Sequence, residues 1–280
     1  MPPVDYLLIG HVTLDLLPGG EQRLGGTAAY AALAAQALGR RVGIVTSAPA
    51  TLDLTALGTA VVVPAPAATT FENRYLPEGR RQLLHALAAP LTVASVPPAW
   101  RAAPLVHLGP VMGECAVELV AYFAERAAFV GLTPQGWLRR ARPGGWVTVG
   151  TWEAAPQVLP LASAVVLSIE DLSGSWERAE TYAALTRILV VTEGAAGGLL
   201  FRRGEPPLRF AASAVQELDP TGAGDIFAAV FFSLLAAGLS PEKAVQQAAQ
   251  FAAISVKRPG LEGVPQPAEV VAMLGEGERR

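Results

Sequence analysis

Leu218-Asp219-Pro220-Thr221-Gly222-Ala223-Gly224-Asp225 is the stretch whose residue types and order can do chemistry, because an apolar helix-forming run follows it directly. Small residues at a helix N-terminus leave backbone N–H groups uncovered, where unpaired donors and the positive end of the helix dipole favour an anion. A phosphate can therefore come close to Gly222, Ala223 and Gly224. Asp225 falls in the first helical turn beside that anion site, where a carboxylate can accept the proton of an attacking hydroxyl. The plainer alternative is a glycine-rich turn in which Asp225 only complements the dipole. Such a turn rarely sets a carboxylate between bare amides and a buried helix, so the chemical reading is preferred.

The elements that must position this loop follow from composition and periodicity. The 280 residues are 51% hydrophobic and 16% charged, enough apolar surface for a large core and too little charge for a disordered chain. Short apolar runs at 4–10, 42–46, 105–108, 129–132, 146–149, 164–167 and 188–191 alternate with helix-period stretches at 26–38 and 114–126. This is the pattern of a mostly parallel sheet with helices on its faces. Two apolar helices are expected at 226–237 and 241–256, with Ser240 as N-cap and Pro241 as the first helical residue. The charge-free run at 226–241 is too short for a membrane-spanning helix. One segment breaks the rhythm: 70–76 and 80–87 read as a hairpin around Pro77-Glu78-Gly79. Its alternation sends Phe71, Asn73 and Tyr75 to one side and Glu72 and Arg74 to the other.

The loop and its surroundings resemble the ribokinase-like sugar kinases, the phosphofructokinase B family. Asp219 to Asp225 fits the family's C-terminal signature. Gly25-Gly26-Thr27-Ala28-Ala29-Tyr30 resembles its N-terminal glycine signature, Gly10-His11-Val12-Thr13-Leu14-Asp15 its first-strand motif, and Val191-Thr192-Glu193-Gly194-Ala195-Ala196-Gly197 its nucleotide-side strand and turn. The resemblance implies one α/β domain over 1–280: a doubly wound, mostly parallel sheet flanked by helices, with a small β lid inserted at about 12–24 and 66–91.

The resemblance further implies an ATP-dependent small-molecule kinase that transfers the γ-phosphoryl group to a hydroxyl of a sugar or polyol. Asp225 would be the general base, and Gly222, Ala223 and Gly224 the anion hole. Asp15, Gly25, Gly26 and Tyr30 would meet the acceptor, with Phe71 and Asn73 reaching it from the lid. Ser168, Thr192, Gly194, Gly197 and Thr221 would meet the nucleotide. Mg²⁺ would ride with the phosphates, held through water by Asp171. Two positions depart from the family pattern: Tyr30 stands where an asparagine often contacts substrate, and Ser168-Ile169-Glu170-Asp171 replaces an Asn-x-x-Glu pattern. His11 reads as a packed structural residue. In 134–139, Gln135 or Arg139 could enter the cleft, although a surface arginine is the commoner outcome. The hairpin is also a candidate edge for a homodimer.

Other classes fare worse. Neither Lys243 nor Lys257 follows glycine or precedes Ser/Thr, which removes a P-loop. Phe227 occupies the last glycine position of a dinucleotide fingerprint. His11, His85 and His107 have no metal-ligand spacing, and a net charge of −3 gives no reason to hold nucleic acid. The lone Cys115 and an N-terminus without a basic leader suit a reducing, cytoplasmic setting. Within the kinase reading, an inositol or nucleoside acceptor stands beside a sugar. From another class, a non-catalytic sugar- or nucleotide-binding protein on the same fold is the rival.

Overall fold

Strand by strand, side chains alternate between two apolar layers, and that alternation builds the molecule. A computed structural model describes residues 1–76, 79–126 and 128–277. The expected turn at Pro77-Glu78 and the direction of the Tyr75 side chain lie outside the described residues. In chain order the strands are β1 (Tyr6–Ile9), β2 (Thr13–Leu16), β3 (Gln22–Gly25), β4 (Val42–Ala48), β5 (Thr59–Pro64), β6 (Thr69–Leu76), β7 (Gly79–Ala86) and β8 (Leu105–Leu108). They continue with β9 (Phe129–Leu132), β10 (Arg139–Ala141), β11 (Val147–Val149), β12 (Ala164–Ser168), β13 (Ile188–Thr192), β14 (Gly198–Arg202) and β15 (Leu208–Phe210). The helices are α1 (Thr27–Ala37), α2 (Glu118–Ala124), α3 (Gln135–Leu138), α4 (Ala155–Val158), α5 (Trp176–Leu185), α6 (Ala223–Ala236), α7 (Pro241–Ser255) and α8 (Pro267–Gly277).

Among the described residues the main sheet has nine strands in the order β15-β14-β13-β12-β9-β8-β1-β4-β5. The run from β13 to β5 is parallel, and β14 and β15 close one edge antiparallel. All four residues of β1 are fully buried, as expected for a parallel strand covered on both faces. Tyr6 and Leu8 point into one core with α1, α6 and α7, where Phe231, Phe232 and Phe251 are buried. Leu7 and Ile9 point into the other, with Trp100, Phe123 and Trp137. Each such side chain contributes roughly 1.5–3 kcal/mol by burial. The α6–α7 turn follows its sequence signals: Gly238 adopts φ 90° and the Ser240 hydroxyl accepts the Lys243 N–H at 3.4 Å.

A separate four-stranded sheet, ordered β3-β2-β6-β7, stands beside the main one. β2 pairs antiparallel with β3 and parallel with β6, and β6 and β7 form the expected hairpin. Phe71 is buried on its inner side, while Glu72 on the other side pairs with Arg74 and His85 at 2.7 and 2.8 Å.

Two expectations require correction. The run at 146–149 is not a main-sheet strand; β11 pairs antiparallel with β10, and Trp146 bridges to Leu83 of β7. The helix expected over 114–126 is only α2. Its missing first turn is taken by Glu114, which is buried and accepts N–H groups from His11, Val111 and Met112 at 2.8–3.0 Å. The backbone there is also taken, because the Leu91 N–H donates to the Glu114 carbonyl at 2.8 Å and the Ala116 N–H to the Leu91 carbonyl at 2.9 Å.

Candidate active site

The parallel strands end on one side of the sheet, and a cleft of about 630 Å³ opens there. Val111, Thr133, Ser168 and Thr192, which end or follow β8, β9, β12 and β13, line it. This is where parallel α/β sheets hold ligands, because connecting loops can splay apart beyond the strand ends. The small sheet forms another wall through Asp15, Phe71, Asn73, Arg81 and Gln82, and β11 contributes Val147, Thr148 and Val149.

At the cleft floor, α6 begins. Gly222 is its N-cap, with φ 81°, a left-handed conformation that suits glycine. A Cβ at Gly222 would overlap the ring of Tyr30, so the loop rests directly on that ring. In front of Gly224 a Cβ would meet nothing within 4 Å, which leaves the amide face open to a ligand. The Ala223 N–H, expected to be bare, instead donates to the Pro220 carbonyl at 3.2 Å. Among the described residues the N–H groups of Gly222, Gly224 and Asp225 have no acceptor within the chain, so the free amides are shifted from the expected set. Thr221 lines the cleft, and its N–H is held by the Asp219 carboxylate at 3.0 Å.

Asp225 is half-buried beside these amides. Burial pushes its carboxyl up to about 6; a hydrogen bond from Thr27 and the Arg139 guanidinium pull it down, and the nearby Asp171 and Asp15 push it up. A base tuned near 6 is ionised at neutral pH and still has useful proton affinity. Arg139 reaches the cleft wall, where Nη1 donates to the Val111 carbonyl at 3.2 Å and the guanidinium lies 5.8 Å from the Phe71 ring centroid. It is not the surface arginine that its residue type favours. Gln135 lines the cleft as well and hydrogen-bonds Asp171.

The remaining expected residues divide. Asp15, Gly26, Tyr30, Phe71, Asn73, Ser168, Asp171, Thr192 and Gly194 line the cleft. Gly25 stands behind the wall, where a Cβ would press on the Asp15 carboxylate. Gly197, at φ 86°, closes a tight turn against the Phe210 carbonyl and also lies outside the lining. Tyr30 is 1% exposed, and its hydroxyl has no partner among the described residues, so its ring supports the loop more than it greets a ligand. His11 is fully buried between Thr69 and the Ala89 carbonyl, at 2.7 and 2.9 Å. Arg81, Gln82, Thr148, Glu170 and Glu217 are cleft residues without a local sequence signature.

Ser168 and Asp171 cap each other across one short turn: the Ser168 N–H donates to Asp171 at 2.9 Å, and the Ser168 hydroxyl accepts the Glu170 N–H at 3.2 Å. Burial raises the Asp171 carboxyl above the ordinary carboxylate range, against the pull of Arg139 and its hydrogen bonds. Among the described residues no cluster of three or more His, Cys, Asp or Glu side chains could cage a metal ion. No helix of the described residues is long and apolar enough to cross a membrane.

The sequence model described as pfkB family carbohydrate kinase matches residues 146–268, which include the anion loop and Asp225. No curated protein matches the sequence. Among solved structures, a pyrophosphate-dependent kinase in the ribokinase family, complexed with a pyrophosphate analog and myo-inositol, is 21% identical with a TM-score of 0.77, covering 95% of this chain and 99% of that one. Arabidopsis thaliana ribokinase, complexed with ribose and ATP, is 20% identical with a TM-score of 0.74 over 98% and 99%. A Burkholderia thailandensis nucleoside kinase in complex with inosine is 18% identical with a TM-score of 0.75 over 97% of each chain. The chain thus has the ribokinase fold throughout, and its second half carries the pfkB carbohydrate kinase pattern.

Proposed function

We propose that this pfkB-type kinase transfers the γ-phosphoryl group of ATP to a hydroxyl of a small polyol, with Asp225 as general base. The observation that carries the reading is one carboxylate, raised to about 6, set beside the free amides of Gly222, Gly224 and Asp225 in a cleft walled by hydrogen-bonding side chains. Asp225 takes the proton of the acceptor hydroxyl as its oxygen bonds to the γ-phosphorus. The bond from that phosphorus to the β–γ bridging oxygen breaks, and its electron pair leaves with ADP. The free amides face the charge on the transferring group, at the positive end of α6. A hydrogen bond from Thr27 and the Arg139 guanidinium favour the ionised form of Asp225 against its burial.

Asp15, Asn73 and Gln82 suit an acceptor rich in hydroxyls, since a carboxylate accepts two hydrogen bonds and an amide side chain both accepts and donates. The Gln82 amide donates to Asn73 at 3.2 Å, which fixes both side chains against Phe71. A cyclic acceptor, whether sugar, inositol or nucleoside sugar, matches a wall that also presents an aromatic ring. The donor set fits Mg²⁺ carried by phosphate and water, because Glu170 and Asp171 face the cleft without forming a cage. When bound there, the ion would neutralise phosphate charge.

A panel of sugars, inositols and nucleosides, each offered with Mg-ATP or with pyrophosphate, tests the reading by acceptor-dependent product formation. Ligand-induced stabilisation without turnover for every pair would favour the binding-protein alternative. Asp225→Asn is expected to keep acceptor binding and lower turnover by at least about 10²-fold. Undiminished turnover removes Asp225 from the role. A raised carboxyl supports the fold most below the ordinary carboxylate range, and that support is lost as pH rises to about 6. Asp225→Asn is therefore expected to gain more in melting temperature over wild type at pH 7 than at pH 4.

A further inference from the structure

One carboxylate beneath the anion loop gathers three separate pieces of chain. Asp219 accepts the Thr221 N–H on one oxygen at 3.0 Å and the Gly260 N–H on the other at 2.8 Å. The Leu218 and Asp219 N–H groups both donate to the Val256 carbonyl, at 2.8 and 3.1 Å, so the loop is also pinned to the end of α7. The third piece is Arg23, whose Nη2 donates to the same Asp219 oxygen at 3.3 Å. Burial alone would raise the Asp219 carboxyl; the bonds from Thr221 and Gly260, with the Arg23 charge, hold it below the ordinary range.

Arg23 does not belong to the main body. It lies on β3, and the residue directly opposite it on β2 is Asp15, which lines the cleft. Residues facing each other across an antiparallel pair project to the same side of the sheet. The face that carries Asp15 is thus the face tied to Asp219. The guanidinium also lies flat against Gly260, where a Cβ would come within 2.8 Å of its central carbon. Gly260 has φ 50° and no side chain, and both permit this approach.

The geometry points to Arg23 as a positioning residue that locks the Asp15 face of the small sheet to the anion loop, so that the acceptor seat and the phosphoryl cradle hold one spacing. It acts through Asp219 and touches neither reacting group. The inference rests on the functional reading given above for Asp15 and for the loop. Its consequence is specific, because phosphoryl transfer depends on reacting atoms held in line, and a loosened spacing lowers the rate of the chemical step before it weakens binding. A loosened wall also admits water, which then competes with the acceptor for the donor.

The test compares wild type with Arg23→Met, which keeps the apolar stem and loses the charged fork, and Arg23→Lys, which keeps only the charge. Amide hydrogen exchange, read without any substrate, is expected to quicken in Arg23→Met at both 13–16 and 219–224, and less so in Arg23→Lys. With an acceptor that wild type phosphorylates, Arg23→Met is expected to lose about tenfold in kcat with acceptor KM nearly unchanged, the loss of one charge-assisted hydrogen bond. It should also hydrolyse more donor per acceptor phosphorylated, and added guanidinium ion should restore part of kcat. Wild-type exchange in either segment, a rise in KM alone, or a fall in kcat without a change in the hydrolysis ratio overturns the inference. Should Arg23→Met fail to fold, the same readouts on Arg23→Lys decide. Absence of transfer by wild type would refute the kinase reading, and the exchange comparison would still judge the clamp.

Discussion

The start of α6 and the small sheet meet across the same cleft but are held in place by different means. From Ile226 to Leu234 every residue of α6 is buried, in a core shared with α1, α7 and the main sheet. In the small sheet, β2 and β3 each contribute one buried residue. That sheet is held by directed contacts: the Thr69 hydroxyl donates to His11 at 2.7 Å while accepting the Ala88 N–H at 3.0 Å, Arg23 reaches Asp219, and Phe71 lies under Arg139. Displacing α6 means opening a packed core. Displacing the small sheet costs a few hydrogen bonds at roughly 1 kcal/mol each and the burial of a few side chains such as Phe71 and Leu83. In the function proposed above, the base and the free amides sit on the first kind of support, and the groups that would admit and release an acceptor sit on the second.

The sharpest way to break this comparison uses two glycines of one loop. Gly222→Ala forces a side chain into the left-handed region and onto the Tyr30 ring, and is expected to lower stability by about 3 kcal/mol, read by denaturant unfolding. Gly224→Ala meets nothing, so it should unfold no more easily than wild type, yet its methyl group covers the amide face and should cost at least about tenfold in turnover. Equal stability of the two variants would mean that the loop does not rest on Tyr30.

Arg139 joins the two regions, and its removal sharpens their electrostatic link. With Asp225 as the proposed base, kcat/KM for the acceptor should rise with pH through about 6 in wild type. Arg139→Met withdraws a cation that lowers that value, and the rise should move to higher pH. An unmoved limb would separate Arg139 from the base. The smallest effect is expected on the outer side of the small sheet. Glu72 is held down to about 2 by hydrogen bonds from Arg74 and His85, but the group is solvent-exposed and screened. Glu72→Gln should leave the melting temperature at pH 7 unchanged; a clear loss would mean that the sheet depends on its outer face.

Sequence reading succeeded where local pattern and final environment coincide. Residues 105–108 and 129–132 are buried on both faces and are recognisable without knowledge of their neighbours. The loop and Asp225 were legible because donors, dipole and carboxylate lie within four residues of one another. The run 146–149 has the same apolar character, but which strand it joins depends on Arg139 to Ala141 and on Leu83, a matter of long-range pairing. Glu114 carried no mark of its buried role: Val111 and Met112 donate to it from its own loop, but the third N–H group that it gathers comes from His11, 103 residues away. For Gln135 and Arg139 the sequence offered both the cleft and the surface, and packing around Val111 and Asp171 decides for the cleft. The free amide of Asp225 was missed for a subtler reason: which N–H the turn consumes depends on whether Pro220 or Thr221 turns its carbonyl inward.

The seat of Gly222 on Tyr30 reaches beyond stability. Two positions 192 residues apart in the chain are sterically coupled: a side chain at the later site would meet the ring at the earlier one, and a smaller ring would relieve that clash while the left-handed φ of 81° kept its own cost. Of the residues that line the cleft, Val147, Thr148 and Val149 stand apart from this pairing, and change there leaves it intact.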